Sequence, residues 1–410
     1  MSTTSELFEP VQIGPLRLRN RFIKSGANEA MCLDGAPTRA LVRHHGDLAR
    51  GGVALTTVAY AAVSEVGRTL PNQIWMRPQI LPDLRALTDA VHAEGAAISA
   101  QITHGGSFVT GMKVKGALMS SVSGLNKGGL LAGNWRRRAM NQADMDQVRN
   151  EFVAAARLAR EAGFDALELH MGHGYLLNQF ISPLDNRRRD EYGGSPANRV
   201  RFPASVLAAV KDAVGKDMAI IAKINVADGV PGGATADDGC VTAAALEAAG
   251  ADLLVLSGGR NVESVWFMFG SAMNMEEMGK VVKGSPLTRL ALKAGSMGTP
   301  ADLAFHELYL LEYSRRIRAA VKMPLAYLGG VKSMDAAETA LAEGFECVVM
   351  ARALIHDTAL VNKFRSGELD RSGCTSCNRC VAYIYDPAGT RCVENPPNDL
   401  ALNQQRAAVQ

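Results

Sequence analysis

The densest group of chemically capable side chains is the run Glu168-Leu-His170-Met-Gly-His173-Gly-Tyr175, continuing through Asn178 to Ser182 and Pro183. Two imidazoles and a phenol fall within six residues of one another, on the turn that leaves an apolar run. Two imidazoles on such a turn can donate hydrogen bonds to one carbonyl oxygen. A phenol beside them can deliver a proton without carrying charge at neutral pH. A lone histidine there reads as a satisfied core residue; three such groups at the end of one strand point to chemistry.

Three weaker signals accompany it. Gln101-Ile-Thr-His104-Gly-Gly ends another apolar run, and its amide can pair with the polar edge of a heterocycle. Lys223 sits inside Ala-Ile-Ile-Ala-Lys-Ile-Asn, where a cation is costly unless paired. Its partner is either a bound anion or a neighbouring carboxylate, and one residue does not choose between them. Gly329-Gly330-Val331 and Ala351-Arg352 fall where the last two strands of a barrel commonly build a phosphate site, and Arg352 adds a fork for the phosphate. Together these residues describe a phosphorylated, redox-capable heterocycle lying across a barrel mouth.

A fourth constellation stands apart. Seven cysteines occur, at 32, 240, 347, 374, 377, 380 and 392. The last four read Cys374-x2-Cys377-x2-Cys380-x11-Cys392, a pattern in which four thiolates can close a tetrahedral or cubane metal site.

The elements that must position these groups alternate. Strands are predicted at Arg21–Ser25, Val53–Val58, Ala96–Ile102, Ala166–His170, Ala219–Ile224, Leu253–Leu256, Pro324–Leu328 and Cys347–Met350. They are near-continuously apolar, as strands buried on both faces are. Helical patterns lie between them, including Asp146–Ala162, Thr242–Ala249 and Met334–Glu343, each stopped by a glycine. Eight strand–helix units predict an α/β fold with a closed (β/α)8 TIM barrel. An open doubly wound sheet is the competitor, and no GxGxxG turn follows an early strand.

Leu7–Asn20 reads as a hairpin around Gly14-Pro15 that caps the barrel floor. Two long insertions, Gly105–Ala139 and Asn261–Phe305, follow the third and sixth strands and are candidate lids. The second holds Met268, Met273, Met275, Met278 and Met297, best read as lid packing. The expected division is a barrel over residues 1–365 and a Cys-rich extension over 366–410.

A net charge of +3 excludes the electrostatic footprint of a nucleic-acid binder. Arg136-Arg137-Arg138 and Arg187-Arg188-Arg189 are short and read as solvated or ion-paired faces. Neither a leader nor a bilayer-spanning run is visible, so a cytoplasmic protein with no membrane partner is expected.

The run Glu168–Pro183, with Asn186-Arg187-Arg188, Asp190-Glu191-Tyr192-Gly-Gly and Asn198-Arg199, resembles the signature stretch of old yellow enzyme-type flavin oxidoreductases. So do Asn20-Arg21, Gln101–Gly106 and the Gly-Gly and Ala-Arg pairs, and the likeness runs from Leu7 to Asn395. The C-terminal cysteines place it nearest the FMN portion of 2,4-dienoyl-CoA reductase and trimethylamine dehydrogenase. The resemblance implies an FMN lined by Ser25, Gly26, Ala27 and Asn28, with Tyr60 touching it through backbone and Gln101 at its pyrimidine edge. Lys223 stands where the family usually has arginine, and Gly330, Ala351 and Arg352 would hold the phosphate. His170 and His173 would grip the substrate carbonyl and Tyr175 would donate the proton.

The implied reaction takes hydride from NADH or NADPH to the C=C bond of an α,β-unsaturated carbonyl or enoyl compound. Rival readings are an amine or acyl dehydrogenase and an electron-transfer subunit that works with a partner protein. Self-association into a homo-oligomer is also common in the family. The cysteines would ligate a [4Fe–4S] cluster, with structural zinc and a metal-free fold as alternatives. Departures from the family are the two residues, usually three, between Cys377 and Cys380; Gly172 in place of alanine; and Ser107 in place of arginine.

Overall fold

A computed structural model describes residues 5–282, 299–300 and 303–396. Eight strands form its centre: β1 (Phe22–Lys24), β2 (Leu55–Ala62), β3 (Ala97–Thr103), β4 (Ala166–Met171), β5 (Ala219–Asn225), β6 (Leu253–Ser257), β7 (Leu325–Tyr327) and β8 (Cys347–Met350). Neighbours in this order pair in parallel, and β8 pairs with β1 to close the barrel. Every residue of β2, β4, β5 and β6 is buried. That is why these segments are apolar throughout: helices cover one face and the barrel interior the other.

Around it lie α1 (Arg39–Arg50), α2 (Leu81–His92), α3 (Gln142–Glu161), α4 (Pro196–Val214), α5 (Ala236–Ala248), α6 (Leu311–Ala320), α7 (Met334–Ala342) and α8 (Leu360–Ser366). Two helices begin earlier than the apolar period predicts. Asn141 caps α3 in a reciprocal capping box with Asp144, and Thr235 caps α5 with Asp238. Their first turns are polar, so hydrophobic periodicity cannot see them. Strand β2 also runs four residues past the predicted Val58 to Ala62, across a register shift between Val58 and Ala61.

The N-terminal hairpin pairs Val11–Ile13 with Leu16–Leu18. Ile13 and Leu18 pack among Ala166, Ala219 and Leu253, the first residues of β4, β5 and β6, so the hairpin closes the floor as expected. At the opposite end, the insertion after β3 carries a small three-stranded sheet (Leu118–Ser120, Gly124–Leu125, Arg136–Ala139). Among its described residues, the insertion after β6 carries two short helices, Val265–Phe269 and Met275–Val281. Met278 is buried there, and Met297 lies outside the described residues.

Asp185 ties the two insertions together. Its carboxylate accepts from Arg137 of the first at 2.5 Å and from Arg260, at the root of the second, at 2.5 Å. Arg138 pairs with Asp144 and Arg188 with Asp190, so the basic clusters are in part ion-paired. The chain beyond α8 folds back over the barrel mouth. Thr390 donates to the backbone oxygens of Glu29 and Asn28, at 2.8 and 2.7 Å. Among the described residues, no helix is long and apolar enough to cross a membrane.

Candidate active site

A cleft of about 1180 Å3 opens at the C-terminal end of the barrel. Ser25, Gly26, Ala27 and Asn28 line it from the segment after β1. Tyr60, Gln101 and Lys223 come from β2, β3 and β5, and Gly330, Ala351 and Arg352 from the loops after β7 and β8. His170, His173 and Tyr175 line it too. All thirteen residues singled out for catalysis or cofactor contact therefore border one space.

Its floor is a buried polar network. Lys223 Nζ lies 2.9 Å from Glu168 Oε1, and 3.2 Å from both Ser25 Oγ and the Gly26 carbonyl. Glu168 Oε1 also accepts from Gln101 Nε2. Both sequence readings of Lys223 thus hold at once: it is paired with a carboxylate and it faces the cleft. A Cβ on Gly26 would stand 2.5 Å from Gln101 Nε2, so only glycine lets the backbone lie against that amide.

At the other end, Gly330 has φ +84°, and a Cβ there would meet the Tyr309 ring at 2.9 Å. Arg352 borders the cleft, but its fork is already engaged. Nη1 donates to Asn378 Oδ1 at 2.6 Å and Ser271 Oγ at 3.1 Å, and Nη2 donates to the Phe269 carbonyl at 2.7 Å. Arg352 thus stands in the cleft wall with its donors turned to Asn378, Ser271 and Phe269. Bare glycine backbone at Gly26 and Gly330, the buried Lys223 cation and the Arg352 guanidinium all border one cleft, a set that fits a heterocycle with a phosphate tail. FMN is the group the resemblance implies.

The turn after β4 is tightly held. His173 has φ +59° and Gly174 φ +86°, a costly backbone region for histidine. Asn225 Oδ1 accepts from the His173 N–H at 3.1 Å, and Asn178 Oδ1 accepts from the Gly174 N–H at 2.8 Å. Gly172 now has a reason. A Cβ there would stand 2.5 Å from Asn225 Oδ1, the atom that holds the next residue.

The imidazoles are joined in series. The Gly172 N–H donates to His170 Nδ1 at 3.3 Å, which leaves the His170 proton on Nε2. His170 Nε2 donates to His173 Nδ1 at 3.1 Å, and His173 Nε2 meets Ser257 Oγ at 2.8 Å. The two imidazoles thus form a chain, and a carbonyl oxygen entering here would take the place of one of its links. Burial holds both imidazoles neutral: His173 is pushed down to about 3, and His170 also falls well below 6.5.

The Tyr175 ring stands 4.4 Å from the His170 ring and 5.3 Å from that of Tyr60. Burial, with Tyr60 beside it, lifts its hydroxyl well above the usual phenol range.

Cys374, Cys377, Cys380 and Cys392 are free thiols that border a second cleft of about 320 Å3. Arg352, Cys374 and Cys380 border both clefts. Among the described residues, no group of three His, Cys, Asp or Glu side chains stands ready to hold a metal ion. The four thiols share a cleft without being drawn to one point.

Sequence reasoning did not single out Asn225, Ser257, Asn261 or Glu168 as site residues. Each sits in or just after a strand of the barrel, and position at a strand end was the signal available for the first three.

The NADH:flavin oxidoreductase / NADH oxidase family profile matches residues 6–370. A 4,4'-dithiodibutanoate disulfide reductase of Rhodococcus erythropolis is 42% identical over 393 residues, 95% of this chain and 95% of its own. An NADH oxidase of Thermoanaerobacter brockii is 30% identical over 97% of this chain and 56% of its own. The chain spans about half the length of that relative and of several others. In fold it is similar to 2-naphthoyl-CoA reductase, with TM-score 0.78 and 24% identity over 96% of this chain and 57% of that one. The old yellow enzyme homologue of Zymomonas mobilis superposes with TM-score 0.70 and 20% identity, over 95% and 98% of the two chains. With the closed barrel and its mouth already described, these likenesses settle the family: the chain belongs to the NADH:flavin oxidoreductase / NADH oxidase family and is an FMN-dependent oxidoreductase of the old yellow enzyme type.

Proposed function

We propose that the chain takes hydride from NADH or NADPH and delivers it to the electron-poor C=C bond of an α,β-unsaturated carbonyl or enoyl compound. FMN, when bound, supplies the hydride acceptor and donor. The observation that carries the reading is the wall formed by His170, His173 and Tyr175, three neutral groups gathered on one side of the cleft. The substrate carbonyl oxygen accepts from the His170 Nε2–H in place of His173, which stabilises enolate character by a few kcal/mol. Tyr175 gives its hydroxyl proton to the α-carbon. Gln101 and Lys223 orient the heterocycle, and Gly330, Ala351 and Arg352 hold its phosphate.

Anaerobic stopped-flow tests this. Tyr175→Phe slows re-oxidation of the reduced flavin by an enone and leaves reduction by NAD(P)H near its original rate. If both half-reactions slow equally, Tyr175 is not the proton donor.

A second acceptor is favoured by the relative that matches 95% of both chains, a disulfide reductase. A dicarboxylic disulfide would take the same two electrons and leave as two thiols. Comparing kcat/KM for an enone and for 4,4'-dithiodibutanoate ranks the two.

The four cysteines support a metal centre beside the FMN cleft through their spacing and their shared cleft. Iron and zinc analysis of anaerobically purified protein decides among a [4Fe–4S] cluster, zinc and none.

A further inference from the structure

A buried phenol is a poor acid, because the phenolate it leaves behind has no water to solvate it. Tyr175 is 5% exposed, so whatever stabilises its oxygen after proton transfer comes from the protein. Its ring is enclosed by those of Tyr60, Phe108 and His170. Phe108 has no donor. The His170 Nε2–H is engaged with His173. The Tyr60 hydroxyl is held against Thr69 Oγ1 at 2.6 Å, and its contact with the Tyr175 hydroxyl favours the protonated phenol.

One donor remains. Asn261 also lines the cleft, in the segment after β6. Its backbone N–H donates to the His173 carbonyl at 3.2 Å, and the preceding residue, Arg260, bridges to His173. That anchors the residue to the catalytic turn. Its side-chain Nδ2 is buried and meets no acceptor at full hydrogen-bond geometry. Among the described residues that line the cleft, it is the one buried side-chain nitrogen or oxygen in that position. An unpartnered buried donor costs roughly 1–3 kcal/mol, so its retention needs an explanation. Burial and Tyr60 hold the Tyr175 phenol protonated, and the Asn261 side chain acts against them, favouring its ionised form.

The geometry points to Asn261 as the positioning residue that turns Tyr175 into a usable acid: its Nδ2–H2 group receives the phenolate oxygen as the proton leaves for substrate. The O–H bond of Tyr175 breaks, a C–H bond forms at the substrate α-carbon, and the negative charge left on oxygen is taken up by the Asn261 donor. The proton is later replaced from solvent, and no other reactant is needed. This rests on the reading of Tyr175 as proton donor.

The test uses the FMN-loaded enzyme reduced by NADPH or NADH and mixed with one of two acceptors. Cyclohex-2-enone needs a proton from the protein; ferricyanide takes electrons singly and needs none. The quantity measured is the ratio of enone to ferricyanide re-oxidation rates. Asn261→Leu removes the donor, and Asn261→Asp removes it while keeping the side chain's shape. Both are expected to lower the ratio on the order of 100-fold, the loss typical of one oxyanion donor. Joined to Tyr175→Phe, Asn261→Leu is expected to cost little more, because the two residues act on one proton.

An unchanged ratio in both variants overturns the inference. So do equal losses with the two acceptors, which mean a merely structural role, and losses that multiply in the double variant. If Tyr175→Phe alone leaves the ratio unchanged, the reading of Tyr175 fails and the role of Asn261 falls with it.

Discussion

The site histidines work as neutral groups, and this has a consequence for stability. His45, His104, His170 and His173 are all buried, and burial lowers the affinity of each for a proton; His104 falls to about 4 and His173 to about 3. In the unfolded chain they titrate near the ordinary value of 6.5. Below that pH the unfolded state binds protons that the folded state refuses. Stability is therefore fully present above about 6.5 and falls as the pH drops toward the folded values, by about 1.4 kcal/mol per pH unit for each histidine. Tm is expected to decline steadily from pH 7 to pH 5, and His104→Gln should flatten the slope. A Tm that stays level over that range would show that these imidazoles are not held neutral. The same neutrality predicts no loss of enone turnover near pH 6.5 from titration of His170 or His173, which a kcat profile corrected for unfolding reads directly.

Each element contributes little to the site alone; the site is made where elements meet. Asp185, eleven per cent exposed in its side chain, is the meeting point of two buried or half-buried arginines from different insertions. Asp185→Asn removes both ion pairs while keeping the shape. Leaving the Arg260 guanidinium, 4% exposed, without a full counter-charge costs about 3–5 kcal/mol less whatever Glu263 at 2.9 Å retains. Hydrogen exchange is expected to rise first in residues 105–139 and around His173, before the barrel strands; a uniform rise would mean that Asp185 does not hold the lids specifically. This junction was invisible in the sequence, and Asn225, Ser257 and Asn261 showed only a weak signal, their position at strand ends. Strands β4, β5 and β6 were legible because burial on both faces makes them continuously apolar, and the Glu168–Tyr175 run because three reactive groups crowd one turn. Asn225 and Ser257 are single polar residues at strand ends, and only closure of the barrel carries them to His173. The capped starts of α3 and α5 escaped for a related reason: a polar first turn has no apolar period.

At the scale of the molecule, barrel, insertion and C-terminal extension converge on Arg352. It follows β8, donates to Phe269 and Ser271 of the second insertion, and donates to Asn378 between Cys377 and Cys380. It also borders both clefts, so its charge acts on the proposed phosphate end of one and on the thiols of the other. Burial raises the thiols of Cys374 and Cys380, and the Arg352 charge offsets part of that rise. The proposed cofactor end and the cysteine loop thus share one guanidinium. Arg352→Met keeps the packing against Phe269 and Phe305 in part, and removes the donors and the charge. Losing a charge-assisted contact of about 1.5–3 kcal/mol weakens FMN binding roughly 10- to 150-fold. The fluorescence of FMN released on dilution measures this. The same change should free the extension, so limited proteolysis is expected to cut within residues 370–396 before any site in the barrel. If FMN is retained as tightly as before while the extension is cut, Arg352 serves the cysteine loop alone, and the phosphate is held by backbone at Gly330 and Ala351.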